Sequence, residues 1–122
     1  MTLNRINSRD AKGRSYDFAL EIIKLVGDLQ KDMTSEVIAK QILRSATSIG
    51  ANIIEGQASP TRKDFSLFLS HSLKSANESK VWLTFLRDIE KGSRPEAEWL
   101  LKELMEVSNI LDSSNLTLKG RK

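Results

Sequence analysis

The sequence contains no cysteine, which excludes disulfide bonds, thiolate nucleophiles and zinc–sulfur sites. Its 122 residues include only 6 glycines, 2 prolines and 6% aromatic residues, whereas strand-rich folds need more turn residues and more aromatic or β-branched runs. No apolar run approaches the roughly 20 residues of a membrane span, and residues 1–14 lack the apolar core of a signal peptide. These absences favour a helical protein without membrane spans, and a reducing cytoplasm is the expected compartment.

Apolar periodicity predicts an all-α chain. Over about residues 15–30 the charged residues follow one stripe, and the remaining positions form an apolar arc wide enough to touch more than one neighbouring helix. A second helix is predicted to begin at Thr34 or Ser35 as N-cap. It should run to about Glu55 and end at Gly56 in a left-handed cap.

Two further helices follow. The third is predicted over about residues 61–90, with Ser59 or Thr61 as its N-cap, and the fourth follows a capping box at Ser93. Short connections make consecutive helices antiparallel. We therefore predict an up-down-up-down antiparallel four-helix bundle over residues 15–114, flanked by tails at 1–14 and 115–122.

Positive charge is concentrated in the two tails. Residues 1–14 carry a net +3 and residues 119–122 another +3, which leaves −3 for the rest of the chain. The predicted topology brings both tails and the loop between the second and third helices to one end. Basic residues at that end can attract phosphate without reading bases, although short basic tails can also serve only solubility. The predicted nucleic-acid-binding residues are Arg5, Arg9, Lys12, Arg14, Arg62, Lys63, Lys119, Arg121 and Lys122.

Catalytic chemistry finds little support in the sequence. His71 is the only histidine, so no Ser-His-acid set or transition-metal site is indicated, and we expect it to be partly buried and structural. Helical ribonucleases of the HEPN type place an arginine ahead of a histidine with four to six residues between them; here those positions hold Asp64, Phe65 and Ser66. No glycine-rich phosphate loop is present. We expect no enzyme activity, cofactor, metal or small-molecule substrate.

Polar and apolar residues on the helices suggest structural contacts. Glu78 lies near an apolar seam of the third helix. The expected turn places Arg44 about five residues away from it along the bundle axis, which is within reach of a long arginine side chain. A structural ion pair is one hypothesis, and simple solvation of both residues is the other. The exposed side of the fourth helix should be acidic and include Glu103. The predicted oligomer contacts, which fall outside the apolar seams of the third helix, are Leu67, Leu73 and Val81.

One long motif resembles a known family. Residues 41–56 read Q-x-x-R-x-x-x-S-I-x-x-N-I-x-E-G, followed by Phe65-Ser-Leu-Phe-Leu69 and Ser75-Ala-Asn-Glu78, and preceded by Tyr16-Asp17-Phe18-Ala19. This pattern is similar to the bacterial four-helix-bundle proteins encoded by intervening sequences of large-subunit ribosomal RNA genes. The resemblance covers roughly residues 16–111. The residues it carries over, interpreted as determinants of fold and assembly, are Arg44, Ser48, Asn52, Glu55, Gly56 and Glu78.

The resemblance implies a ring, typically a pentamer, without established enzymatic activity. A related bundle, the accessory protein of diversity-generating retroelements, is also pentameric and binds nucleic acid beside a reverse transcriptase. We therefore expect a cytoplasmic homo-oligomer that binds RNA or DNA electrostatically as a scaffold or accessory factor. The alternative is a protein–protein assembly module without affinity for nucleic acid.

Overall fold

Four helices make up the part of the chain described in the computed structural model, residues 10–120, with the side chains of 118–120 excepted. They are α1 (Ala11–Gly27), α2 (Met33–Gln57), α3 (Arg62–Asp88) and α4 (Arg94–Gly120). α2 packs against α1 and α3, α3 packs against α4, and α4 closes the bundle against α1. Each helix therefore has two neighbours, as in a square bundle.

The contacts between α2 and α3 establish their antiparallel direction. Ser79 Oγ donates a hydrogen bond to Ser45 Oγ at 2.8 Å, and Ser72 Oγ donates to the Ile49 carbonyl at 2.8 Å. Higher numbers on α2 thus meet lower numbers on α3, and contacts between α1 and α4 show the same reversal. The predicted all-α up-down-up-down bundle is confirmed. These small serines also allow α2 and α3 to approach closely and bond across the interface.

The first two helices begin earlier than predicted. Asp10 caps α1 by accepting a hydrogen bond from the Gly13 backbone N–H at 2.8 Å, so α1 starts at Ala11 and not near residue 15. Asp32 caps α2 by accepting from the Ser35 N–H at 2.8 Å. Thr34 and Ser35, the predicted caps, lie inside the helix. Aspartate is a strong N-cap residue, and each of these two aspartates starts its helix before the predicted cap.

The predicted caps of the last two helices are present. Thr61 Oγ1 accepts from the Asp64 N–H at 3.0 Å, and Ser93 Oγ accepts from the Glu96 N–H at 3.2 Å. Between them α3 ends at Asp88, slightly before the predicted residue 90. The turn then needs positive φ at Glu90 (59°) and at Gly92 (78°).

The predicted role of Gly56 as a left-handed cap is wrong. α2 continues through Gly56 to Gln57, and its C-cap is Ala58 in a right-handed conformation. Glycine is required at position 56 for space, because a Cβ there would lie 2.8 Å from Phe68 Cβ and 2.9 Å from Phe65 Cδ1. The first turn of α3 thus packs directly on the α2 backbone.

The core is apolar and continuous through all four helices. α4 runs to Gly120, so the predicted boundaries of the bundle at 15 and 114 are both too narrow. Among the described residues, no helix is long and apolar enough to cross a membrane. The largest fully buried apolar side chains are Phe18, Ile22, Ile42, Ile49, Leu83, Leu86, Leu100, Leu104, Val107 and Leu111.

Candidate nucleic-acid interface at the basic end

The topology brings the start of α1, the α2–α3 loop and the end of α4 to one end of the bundle, here called the basic end. Asn115 ties this end together, since its Oδ1 accepts from Ser66 Oγ at 2.5 Å and its Nδ2 donates to Ser70 Oγ at 2.9 Å. Asn115 is buried. The last turns of α4 therefore run beside the first turns of α3, and Lys119 in α4 is level with the start of α3.

Three predicted basic residues have exposed side chains at this end: Lys12, Arg62 and Lys63. Arg62 and Lys63 occupy the first turn of α3, where the helix dipole disfavours positive charge. The Thr61 cap and the acidic Asp64 offset this cost locally. Both side chains are exposed, which makes them candidates for contact with an external anion.

Arg14 does not belong to the predicted interface. Its Nε and Nη2 donate to Glu103 Oε2 and Oε1 at 2.9 and 2.8 Å, which joins α1 to α4. The Glu103 side chain is only 8% exposed, so its predicted place on the solvent side of α4 is wrong. The hydrogen bond from Arg14 to Glu103 raises the pKa of Arg14 further above its ordinary value. Arg14 thus neutralises a buried carboxylate and is a structural anchor.

The C-terminal residues were predicted as a separate tail from 115, but residues 115–120 continue α4. Lys119 has its backbone in this helix. The remaining predicted contacts, Arg5, Arg9, Arg121 and Lys122, lie outside the described residues.

Three cations at the opposite end of the bundle are in ion pairs with nearby carboxylates. Lys91 Nζ lies 2.8 Å from Asp32 Oδ2, and this contact together with the Ser35 N–H lowers the pKa of Asp32 to about 2. Two more pairs at this end are Arg87–Asp88 at 2.9 Å and Arg94–Glu98 at 3.5 Å. Arg87, Lys91 and Arg94 are thus neutralised by carboxylates at this end.

A polar network crosses the outer face of α2 and α3. The Arg44 guanidinium donates to Glu78 Oε2, and it also donates to Gln41 Oε1 at 3.0 Å. Trp82 Nε1 donates to the same Glu78 oxygen at 3.3 Å. The hypothesis of an Arg44–Glu78 pair is confirmed, and the two residues are level because the α2–α3 turn is centred later in the chain than predicted. The setting is not desolvated, since the Arg44 side chain is 59% exposed and that of Glu78 is 32% exposed.

The other motif residues on α2 lie along the same face. Ser48 Oγ donates to the Arg44 carbonyl at 2.7 Å, and Asn52 Nδ2 donates to the Ser48 carbonyl at 2.9 Å. Glu55 is exposed at the end of this row. Only Gly56 is buried against α3. For Gly56 a role in the fold follows directly from the packing, whereas assembly roles for the exposed residues stay predictions.

His71 is exposed and not partly buried as expected. Its ring contacts Phe68 edge to face, with centroids 6.0 Å apart. Between residues 10 and 117, where side chains are described, no group of three or more His, Asp or Glu residues could hold a metal ion.

Comparison with known proteins agrees with the resemblance seen in the motif. The family model for the 23S rRNA-intervening sequence protein matches residues 9–113. This chain belongs to that family. It is similar to a crystal structure from Bacteroides thetaiotaomicron VPI-5482, described as a protein of unknown function from the S23 ribosomal protein family. The two share 38% identity over 86% of this chain and 94% of that one, with a TM-score of 0.80. No curated protein matches the chain.

Several exposed apolar residues of this intervening-sequence protein lie on two surfaces. Leu67 and Val81 are 54% and 49% exposed on the outer side of α3, as predicted, and Phe85 lies with them at 48%. Leu73 is half-buried and packs against the core of its own chain, unlike Leu67 and Val81. A second surface is the α1–α2 groove, whose apolar lining is formed mainly by Tyr16, Leu20, Ile23, Gly50, Ala51 and Ile54, with Lys12, Ser15 and Thr47 as its polar lining.

The sequence indicated only part of this groove. The wide apolar arc of α1 already indicated contacts beyond one neighbour, but the α2 residues Gly50, Ala51 and Ile54 lie at unspecified positions of the motif and were not singled out. Their shared side of α2 becomes visible once the α1–α2 register is known.

Proposed function

We propose that this family member is a non-catalytic, cytoplasmic homo-oligomer that binds RNA or DNA through the phosphate backbone, as a scaffold or accessory factor. The observation that carries the proposal is the difference in charge between the two ends of the bundle. At the basic end, Lys12, Arg62 and Lys63 are exposed, and the basic segments 1–9 and 119–122 begin at the same end. At the opposite end, ion pairs neutralise Arg87, Lys91 and Arg94.

Such an arrangement favours phosphate over bases. Lysine and arginine side chains at helix ends can release condensed counterions from nucleic acid, and this term supplies affinity without sequence preference. Contacts of this kind position a protein on its ligand and do not specify a sequence. We therefore expect comparable affinity for ribosomal RNA fragments and unrelated duplexes, and a steep decrease in affinity with salt.

Assembly would multiply the effect. The family resemblance suggests a cyclic pentamer, in which all chains point the same way. The basic ends would then form one rim on a single face of the ring, and several weak phosphate contacts would act together.

Charge reversal tests the proposal. The double variant Arg62→Glu/Lys63→Glu should weaken binding of a labelled RNA at least tenfold at low salt in fluorescence anisotropy. The matched control is Lys40→Glu/Lys102→Glu, which makes the same change in net charge away from the basic end, on α2 and α4. An equal decrease in affinity in both double variants would show that only total charge matters, and the proposal for the basic end would then be wrong.

A deletion separates the tails from the helices. Removing residues 1–9 and 121–122 spares all four helices and their caps. We expect weaker binding and a smaller salt dependence in the truncated protein, with an unchanged oligomeric mass. If the truncated protein binds as tightly as the full chain at low salt, the tails contribute nothing.

The second candidate function is a protein–protein assembly module without nucleic-acid affinity. The exposed apolar lining of the α1–α2 groove favours it. An oligomer that fails to bind RNA or DNA even at low salt would support this candidate.

A further inference from the structure

Gly50 is a glycine that the packing of the single chain does not require. A Cβ at position 50 would lie 3.6 Å from Ser15 Cβ, an ordinary van der Waals contact. Gly56, on the next turns of the same helix, has no such room. Glycine in a helix interior is less favourable than alanine. Gly50 lines the α1–α2 groove, so the absent side chain keeps the groove open at its middle.

Most of the remaining lining is apolar and exposed, and Lys12, Ser15 and Thr47 add polar groups to it. Tyr16, Ile23 and Ile54 are 63%, 49% and 56% exposed, and Leu20 is 39% exposed. Together these four side chains leave roughly 400 Å² uncovered, about half of the ~800 Å² that each partner buries in a standard interface. Exposed apolar patches of this size mark interaction sites.

We infer that the α1–α2 groove receives the outer ridge of α3 from a second copy of this chain. The ridge is the pair Val81 and Phe85, one turn apart and each about half exposed on the outer side of α3. Towards Leu67 the same row continues through the polar residues His71, Lys74 and Glu78. Two grooves cannot fill each other, because both are concave, whereas a ridge fits a groove. The inference rests on the oligomeric part of the proposed function and names its two contacting surfaces.

The relative placement of groove and ridge suits a closed ring. The ridge lies on α3, which packs on α2 but not on α1 among the described residues. In a square bundle the groove and the ridge then face directions separated by roughly 90–135°, and a head-to-tail contact with that angle closes after about four to eight copies. α2 would face the inside of such a ring.

Two exposed substitutions test the contact. Ile54→Glu places a charge in the groove, and Val81→Glu places one on the ridge, so each should reduce the mass in size-exclusion light scattering to that of a monomer. Met105→Glu is the matched control, because Met105 is 57% exposed on α4, outside both surfaces. Circular dichroism should show that all three variants fold.

Mixing the two disrupted variants gives the sharper result. A subunit with only an intact ridge and one with only an intact groove should form a 1:1 dimer and nothing larger. A monomeric mixture, or variants that keep the wild-type mass, would overturn the inference.

Gly50→Leu fills the groove without adding charge and should lower the assembled mass. Gly27→Leu serves as its control, since a Cβ at Gly27 would meet nothing within 4 Å. Anisotropy with RNA is measured on the same monomeric variants. A monomeric variant that still binds RNA would show that the nucleic-acid interface works without this contact. The two proposals can therefore fail separately.

Discussion

The Arg14–Glu103 pair joins the first and last helices through two hydrogen bonds. Replacing Arg14 with methionine keeps much of the packing but leaves a largely buried carboxylate without its cation. We expect Arg14→Met to lower the free energy of unfolding by about 1–3 kcal/mol in urea denaturation. The control Arg94→Met removes an exposed pair with Glu98 at 3.5 Å and should cost less than about 0.5 kcal/mol. Similar destabilisation in the two variants would contradict the structural role of Arg14.

Asp32 makes stability depend on acid pH. The ion pair with Lys91 and the bond from the Ser35 N–H lower its pKa from 3.8 to about 2. Because the folded-state pKa is depressed, its contribution is present above pH 3.8 and disappears as pH falls towards 2. Asp32→Asn keeps an N-cap oxygen but cannot titrate. Denaturation at about pH 5 and about pH 2 should therefore show a smaller acid destabilisation in the variant, and equal destabilisation of both proteins would exclude this role.

Single-residue contacts differ in how far the sequence reveals them. The Arg44–Glu78 pair was predictable because both residues lie on consecutive helices, whose register depends on one short loop. Glu103 was assigned to the exposed acidic side of α4, since its partner Arg14 lies on a helix three elements away. The relative level of these two residues along the bundle depends on the length of every loop between α1 and α4. The prediction of each loop adds its own error.

Close packing at the α2–α3 turn gives a prediction for a whole element. Alanine is normally the better helix residue, but a Cβ at Gly56 would lie within 2.9 Å of Phe65 and Phe68. We expect Gly56→Ala to lower the free energy of unfolding by about 1–3 kcal/mol. Gly27→Ala, where a Cβ meets open space, should be neutral or slightly stabilising. A shift of the urea midpoint in the same direction for both variants would show that packing at Gly56 is not decisive.

The end of α4 depends on Asn115. Removing its amide leaves Ser66 and Ser70 without their shared partner, so Asn115→Ala should cost about 1–2 kcal/mol. Backbone amides near Leu116 and Thr117 should exchange faster with deuterium than in the wild type. Asn109→Ala, at an exposed position of the same helix, should leave both measurements unchanged.

Element boundaries were harder to predict than the elements themselves. Four periodic apolar segments gave the number, order and direction of the helices, because a bundle with short loops admits few alternatives. The ends depend on contacts made elsewhere in the fold. Asp32 was missed as a cap, and its side chain also pairs with Lys91 from the α3–α4 connection. α4 was ended too early, since the buried amide that holds its last turns looks like a surface residue in the sequence.

At the scale of the whole molecule, the α1–α2 groove and the ridge lie along the sides of the bundle, whereas the exposed Arg62 and Lys63 lie in the first turn of α3 at one end. Lys12 is the predicted nucleic-acid contact that also lines the groove. A ring built through the sides leaves that end uncovered in every subunit. Assembly and nucleic-acid binding can therefore be altered independently, and variants of the groove, the ridge and the basic end use this separation.

Lys12 and Arg14 provide the closest test of which charges reach nucleic acid. Both lie in the first turn of α1 and carry the same charge, but Arg14 is held by Glu103 while Lys12 is exposed. Lys12→Gln should weaken RNA binding and reduce the slope of log K against log salt by about one unit for each phosphate that is no longer neutralised. Arg14→Gln, compared at a temperature where both variants are folded, should leave the slope unchanged. A larger change in Arg14→Gln than in Lys12→Gln would mean that Arg14 leaves Glu103 to bind phosphate.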